Sequence, residues 1–405
     1  MCPTVAPRRI YCMEEVERLI REEAQREGSI SFARFMERAL LEPGLGYYAT
    51  AQRRAGRSGD FMTAPELHPI LGAAIAQLAA ATWERLGRPA TFRWREYGAG
   101  EGTLLLAALD YLTREGHPLL GALEVSVSEA NPYRLADLTA ALAALPGGGP
   151  PLVTPASPPV AGIVVANEFA DALPFHIVVG RAAAPGGFAE RRVAVDAVTN
   201  ALTWAEGAPD PGVAERLTPL MAAWPPLAEG QLAEISPATA DWAHGLGGEL
   251  TEGVVIVLDY GREGVALRDP ASRMAGTALA YQGHRATSDL LSEPGSRDLT
   301  AHVDLTLLRV AAEAGGLRHL ASTNQAKFLA TAGVDGEVAR TRTGPAATLE
   351  GAIALRSALA QLMDPRRMGG FAVEVFVAGS SPGANTLADP ASPLPGTAAP
   401  NRPLV

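Results

Sequence analysis

Three glycines alternate along Arg95-Glu96-Tyr97-Gly98-Ala99-Gly100-Glu101-Gly102-Thr103, where a strand-forming segment gives way to a helical one. Phe92, Trp94 and Tyr97 have strand character ahead of the turn, and Leu104, Leu105, Ala108 and Leu109 recur at helical spacing after it. Glycine reaches positive φ and carries no Cβ, so a bound molecule can approach the backbone amides at the helix start. The turn therefore reads either as a nucleotide-type cofactor loop or as an ordinary glycine-rich turn. The dinucleotide fingerprint places its third glycine three positions after the second, whereas position 103 is threonine, which disfavours a nicotinamide cofactor.

A G-x-G-x-G turn preceded by an acidic residue resembles the cofactor loop of class I S-adenosylmethionine-dependent methyltransferases. The resemblance implies that Gly98, Gly100 and Gly102 line the cofactor and that Glu96 faces its methionine amino end. It also implies an acidic residue closing the second strand, where charge-assisted hydrogen bonds hold the ribose hydroxyls. Glu129, at the end of Leu123-Glu124-Val125-Ser126-Val127-Ser128-Glu129, stands at that place, with a solvated strand-end carboxylate as the alternative.

The surrounding pattern is βαβ: strand 92–97, helix 103–115, strand 123–129, helix 131–144, and a buried strand at 162–166. It predicts an α/β fold with a parallel sheet. The continuous apolar run 253–259 returns to that sheet, followed by helix 304–314, strand 317–322, helix 348–362 and a last strand 371–377. Ahead of the turn, 14–27 and a segment with Phe32, Phe35, Met36 and Leu40 capped by Ser31 read as helices, and 65–83 as a third. Between the sheet segments, 176–179, 191–195 and 201–204 switch to period two, as an antiparallel insertion would. The proline- and glycine-rich 145–159 reads as a loop, and the Pro, Ala and Ser after Gly379 as a tail without structure. The expected layout is a flexible 1–13, a helical region 14–90 with a cofactor-covering loop, a core of 91–172 and 250–378, an inserted substrate-side region 173–249, and the tail 379–405.

A formal charge of −10 argues against a general nucleic-acid surface, and no apolar run of about 18 residues is available to span a bilayer. Cys2 and Cys12 are the only cysteines, so no disulfide framework or cysteine metal cluster is expected. The first eleven residues lack an apolar signal core, and the reading places the protein in a reducing cytoplasm, or in the mitochondrial matrix if eukaryotic.

Five blocks occur in order: Gly59-Asp60-Phe61-Met62-Thr63-Ala64-Pro65-Glu66, the glycine turn, Asn167-Glu168-Phe169-Ala170-Asp171-Ala172-Leu173-Pro174, Asp259-Tyr260-Gly261, and Asp298-Leu299-Thr300-Ala301-His302-Val303-Asp304. Together they resemble the MidA-like family of class I methyltransferases from about residue 14 to about residue 377. That family includes the mitochondrial complex I assembly methyltransferases, which act on an arginine of a complex I subunit. The resemblance implies a Rossmann-like, mostly parallel seven-stranded sheet, S-adenosyl-L-methionine as cofactor, and a protein substrate containing arginine, with a homodimer compatible. It implies that Asn167, Asp60 and Thr63 join the cofactor site. Ala99, Glu101 and Ala170 depart from the family pattern, and Glu101 reverses a charge beside the turn.

Methyl transfer needs few catalytic groups, because the sulfonium already activates the methyl carbon and the protein mainly aligns it with the nucleophile. A delocalised guanidinium is a poor nucleophile, and carboxylates gripping it bias its charge toward the unreacted nitrogens. Glu168 and Asp171, directly after the fourth strand, are the expected carboxylates; a helix cap is the alternative for Asp171. Thr63 and Glu66 also have the form of a capping box. His302, His284 and Arg285 are weaker substrate-side candidates, with a helix start or a solvated loop as alternatives. No metal-ligand spacing or nucleophile elbow occurs. A non-catalytic assembly factor for a respiratory subunit is the competing function.

Overall fold

The computed structural model describes residues 5–50, 62–333, 335–343, 348–389 and 392–397. The chain sorts into two compact units. One comprises Met62–Ala170, Ala243–Gly261 and Arg309–Val405; the other comprises Met1–Phe61, Asp171–Trp242 and Arg262–Leu308.

The first unit is built on a seven-stranded sheet in the order Arg318–Asn324, Ala372–Ala378, Leu250–Asp259, Val160–Asn167, Phe92–Tyr97, Leu123–Ser128, Leu152–Val153. Six strands run the same way; Ala372–Ala378 is antiparallel to both of its neighbours. Strands 250–259 and 372–378 are almost entirely buried, as the apolar run 253–258 and the apolar residues either side of Glu374 require when helices cover both faces. Helices Ile70–Arg85 and Thr103–Arg114 pack Ile75, Leu78, Leu105 and Leu109 against Trp94, Val125 and Ile163 of the sheet in one apolar core.

The second unit is antiparallel. Strands Ile30–Ser31, Phe188–Val195, His176–Gly180 and Leu232–Ile235 pair in that order, with Leu202–Gly207 also on Phe188–Val195. A separate group joins Arg285–Thr287, Leu279–Gln282 and Asp298–Thr300. Phe32 stacks on Phe35 and packs tilted against Phe175 and Trp204, at ring separations of 5.3–5.5 Å.

Several expectations need correction. Residues 14–50 are not a helical region of their own and 262–308 are not part of the sheet core: both belong with the antiparallel insertion. The cause is visible in pairing and packing, since Ile30 and Ser31 pair with Val193 and Arg192, and Phe32, Ala280 and Leu299 share one apolar cluster. The single helix expected at 65–83 is two, Ala64–Leu67 and Ile70–Arg85, because Pro69 forces His68 into extended backbone (φ −166°). The first helix spans Val5–Glu27 and so begins ahead of residue 14. After Gly379 the chain forms a further helix, Pro382–Leu387, started by Ser381, whose hydroxyl accepts from the Ala384 amide. Ala384, Leu387 and Leu394 bury against the sheet unit's core, which is why that segment is ordered despite its composition.

Candidate functional site

The chain leaves strand Phe92–Tyr97 toward Leu123–Ser128 and Leu152–Val153, then returns on the other side as Val160–Asn167. Open α/β sheets bind ligands outside the carboxyl ends of the strands at such a reversal. The segments that emerge there are the glycine turn and Asn167-Glu168-Phe169.

Each glycine of the turn has a distinct reason. Gly98, Gly100 and Gly102 have φ of 61°, 55° and 76°, all in the left-handed region. The Gly98 amide extends the sheet ladder by donating to the Ser128 carbonyl at 2.8 Å, and a Cβ there would lie 2.8 Å from the Phe169 ring. A Cβ on Gly102, which opens helix Thr103–Arg114, would lie 2.4 Å from Leu138. Around Gly100 a Cβ meets nothing within 4 Å, so this is where the turn faces open space. The ring of Tyr97, 5.4 Å from that of Phe169, continues the same surface.

Glu96 is buried and accepts a hydrogen bond from Trp94 Nε1 at 2.7 Å. Burial, reinforced by repulsion from Glu129 and opposed by the Trp94 donor, pushes its carboxyl up to about 7. Glu129 follows strand Leu123–Ser128 and clasps the turn: Oε2 accepts from the Gly100 amide and Oε1 from the Asn131 amide, each at 2.8 Å. Its carboxyl is also raised by burial, against the pull of those two amides. Each oxygen keeps a further lone pair, so the carboxylate is fixed in place and still able to accept from hydroxyls. Two carboxyls whose charged forms are disfavoured, side by side at the switch point, suit a ligand carrying hydroxyls and positive charge. S-adenosylmethionine carries ribose hydroxyls, an ammonium and a sulfonium, and these acceptors fit it.

Glu101, beside the turn, is taken up by an ion pair. It pairs with Arg134 Nη1 at 2.9 Å, on the helix Pro132–Ala143 that Asn131 caps through its side-chain oxygen. Arg134 was not singled out in the sequence; its position three residues after the Asn131 cap is the signal that it belongs to this end of the helix.

Beyond strand Val160–Asn167, Glu168 adopts φ 49°, a left-handed conformation that costs a non-glycine residue about 1–3 kcal/mol. It is held from several sides. Its amide donates to the Leu258 carbonyl at 2.8 Å, and Oε1 accepts from the Ala64 amide at 3.2 Å and from Asn167 Nδ2 at 3.3 Å. Asp259, fully buried at the end of the neighbouring strand, accepts from the amides of Ala170 and Tyr260 at 2.9 Å and so anchors the loop's far end. Asp259 is a fixing residue that the Asp-Tyr-Gly block marked without revealing its role. Thr63 begins helix Ala64–Leu67, and the Glu66 carboxylate reaches back to its amide at 3.5 Å, the capping-box arrangement. Asp60 lies outside the described residues.

The remaining candidates belong to the antiparallel unit. Asp171 is buried and accepts from the Thr300 hydroxyl at 2.8 Å, which joins two of the five sequence blocks. On the same strand as Thr300, Asp298 accepts from the Tyr48 hydroxyl at 2.8 Å, and burial together with Asp298 pushes that phenol up. The His302 amide donates to Thr277 Oγ1 at 3.1 Å, and burial, with Arg273 and Arg262, pushes its imidazole down, toward the neutral form. His284 and Arg285 are exposed. Gly283 and His284, with φ of 54° and 60°, form the two-residue turn between strands Leu279–Gln282 and Arg285–Thr287, so a turn accounts for them. In the sheet unit, a cavity of about 450 Å³ lined by Thr91, Leu123, Leu145 and Pro150 opens at the amino ends of the strands, the edge away from the glycine turn.

A sheet of six aligned strands and one reversed strand, with an acidic glycine turn at its switch point, defines a Rossmann-like enzyme that binds a nucleotide-type cofactor. The profile of the family described as "Putative S-adenosyl-L-methionine-dependent methyltransferase" matches residues 74–323. That is more than half of the chain, and the chain belongs to this family, the MidA-like methyltransferases. The Drosophila melanogaster protein arginine methyltransferase NDUFAF7 homolog, mitochondrial, is 30% identical over 373 residues, covering 84% of this chain and 80% of the relative. The Mus musculus protein arginine methyltransferase NDUFAF7 is 28% identical over 76% of this chain and 72% of its own. A crystal structure from Burkholderia thailandensis with S-adenosyl-homocysteine bound superposes with a TM-score of 0.79 at 28% identity, covering 98% of this chain and 97% of that one. The protein is an S-adenosylmethionine-dependent methyltransferase. Among the described residues no helix is long and apolar enough to cross a membrane.

Proposed function

We propose that this methyltransferase modifies an arginine side chain of a protein, and that Glu168 is the carboxylate that engages the guanidinium. The relatives' names give the substrate class. The observation in this chain that carries the assignment is the strained Glu168 backbone, placed directly after Val160–Asn167 at the ligand-binding edge of the sheet. Strain of this kind persists where surrounding contacts over-determine it, and it clusters at sites of function.

When bound, S-adenosylmethionine supplies a methyl carbon already activated by its sulfonium. Glu129 and Glu96 would hold the cofactor's ribose and amino-acid ends. Glu168 draws guanidinium charge toward the nitrogens it contacts and leaves the reacting nitrogen more nucleophilic. That nitrogen would bond to the methyl carbon as the carbon's bond to sulfur breaks, leaving S-adenosyl-homocysteine, and would shed one proton, for which a carboxylate is the receiving base. Asp171 is the second carboxylate of the proposal, Thr63 and Asn167 border the cofactor, and His302 faces the substrate side; a complex I subunit is the acceptor the family resemblance suggests.

Labelled methyl from S-adenosylmethionine, offered with the protein to lysate of a deletion strain, should appear on arginine in mass spectra of the modified protein. Glu168→Gln should lower that turnover by about a hundredfold, the scale on which a positioned charge acts in a transition state. Label on a different residue type sinks the substrate class, and turnover within threefold of the parent sinks the role of Glu168.

A further inference from the structure

Asn167 is the last residue of strand Val160–Asn167, paired in register with Leu258 and one position beyond the Tyr97–Ala166 pair. It therefore stands beside the glycine turn. Its side-chain Nδ2 donates to Glu168 Oε1, the oxygen that also takes the Ala64 amide. A carboxylate can only accept, so the carboxamide must present its NH2 group to Glu168 and turn its carbonyl the other way. That carbonyl, Oδ1, is buried and has no hydrogen-bond partner among the described residues. An unpaired buried acceptor is retained against its desolvation cost, next to a residue whose backbone is itself strained. Both features occupy consecutive positions at the sheet's switch point.

We infer that Asn167 Oδ1 is a binding acceptor for the N–H of a cationic ligand group, and that Glu168 positions it by fixing the rotation of the carboxamide. Two groups at a methyltransferase site have this chemistry, the ammonium of the cofactor and the guanidinium of the methyl acceptor, so the inference rests on the proposed reading of the site. A neutral site residue would have no reason to be locked with its acceptor outward. Loss of the carbonyl removes one hydrogen bond to a charged group, an effect of about tenfold or more in affinity.

The full-length protein is compared with Asn167→Ala. If the ammonium is the donor, Asn167→Ala binds S-adenosyl-homocysteine about tenfold more weakly by calorimetry. It binds 5′-methylthioadenosine, which lacks the amino-acid end, as the parent does. If the guanidinium is the donor, S-adenosyl-homocysteine affinity is unchanged, and the KM for methyl acceptor in deletion-strain lysate rises about tenfold at constant kcat. In either case the ligand-free unfolding of Asn167→Ala stays cooperative, because the hydrogen bond lost to Glu168 is offset by removal of the orphaned acceptor. Parallel loss of both nucleosides, or no change in affinity and KM, overturns the inference. Absence of S-adenosyl-homocysteine binding by the parent protein would instead overturn the reading of the site.

Discussion

Glu129→Ala is expected to weaken S-adenosyl-homocysteine binding by about a hundredfold or more, on the basis of two charge-assisted hydrogen bonds worth about 1.5 kcal/mol each. The carboxylate is held by the amides of Gly100 and Asn131, so it meets a ligand already oriented and gives up little freedom on binding. The alanine protein should still fold. Glu129 is only half-buried, and the two released amides can turn to water, at a cost of about 1–2 kcal/mol. Glu129→Gln separates the contributions, because an amide keeps one acceptor oxygen and must turn its NH2 group toward the other backbone donor. Calorimetric titration measures the effect, and an alanine variant within threefold of the parent would show that Glu129 serves the turn rather than the ligand.

The second large effect is on stability. Glu96 has its carboxyl raised from the ordinary 4.5 to about 7, chiefly by burial. A raised folded value means that the fold favours the protonated form. Its contribution is fully present below pH 4.5 and is lost as the pH rises through about 7. At about 1.4 kcal/mol for each pH unit between those values, the loss is on the order of 3 kcal/mol by pH 8. Glu96→Gln is neutral throughout and can still accept from Trp94 through its amide oxygen. The ligand-free variant should match the parent near pH 4.5 and exceed it by about 3 kcal/mol at pH 8 in urea unfolding. The same change should weaken S-adenosyl-homocysteine binding, since the cofactor's ammonium loses its anion. Identical pH slopes for the two proteins would sink the argument.

These two residues illustrate what can be read from sequence. The places of Glu96 ahead of the glycine turn and of Glu129 at a strand end were legible because both are local patterns, and the sheet strands were legible because burial on both faces demands unbroken apolar runs such as Val254 to Leu258. What the carboxylates touch was not legible. The grip of Glu129 on Gly100 and Asn131, the pairing of Glu101 with Arg134 and the strain at Glu168 arise only when segments tens of residues apart meet. The antiparallel unit was harder still. Strand Leu232–Ile235 is four residues long, and its partner His176–Gly180 is distant in sequence. Its Glu234 looks like a surface charge, yet it takes the amides of Thr277 and Ala278 at 2.9 and 3.0 Å and the Thr277 hydroxyl. Short strands that owe their existence to a remote partner leave almost no periodic trace.

The two units are threaded through one another in sequence, for the chain changes unit five times, after Phe61, Ala170, Trp242, Gly261 and Leu308. One of those changes falls between Ala170 and Asp171, inside the block that carries Glu168, Asn167 and Asp171. No single truncation can therefore isolate either unit, and a fragment ending between 171 and 308 contains part of each. Transplanting the antiparallel unit onto a related enzyme requires moving three separate stretches, with a junction three residues from Glu168. The same threading confines tolerated genetic recombination: a crossover anywhere between 62 and 308 exchanges pieces of both units at once, so the two are expected to be inherited together.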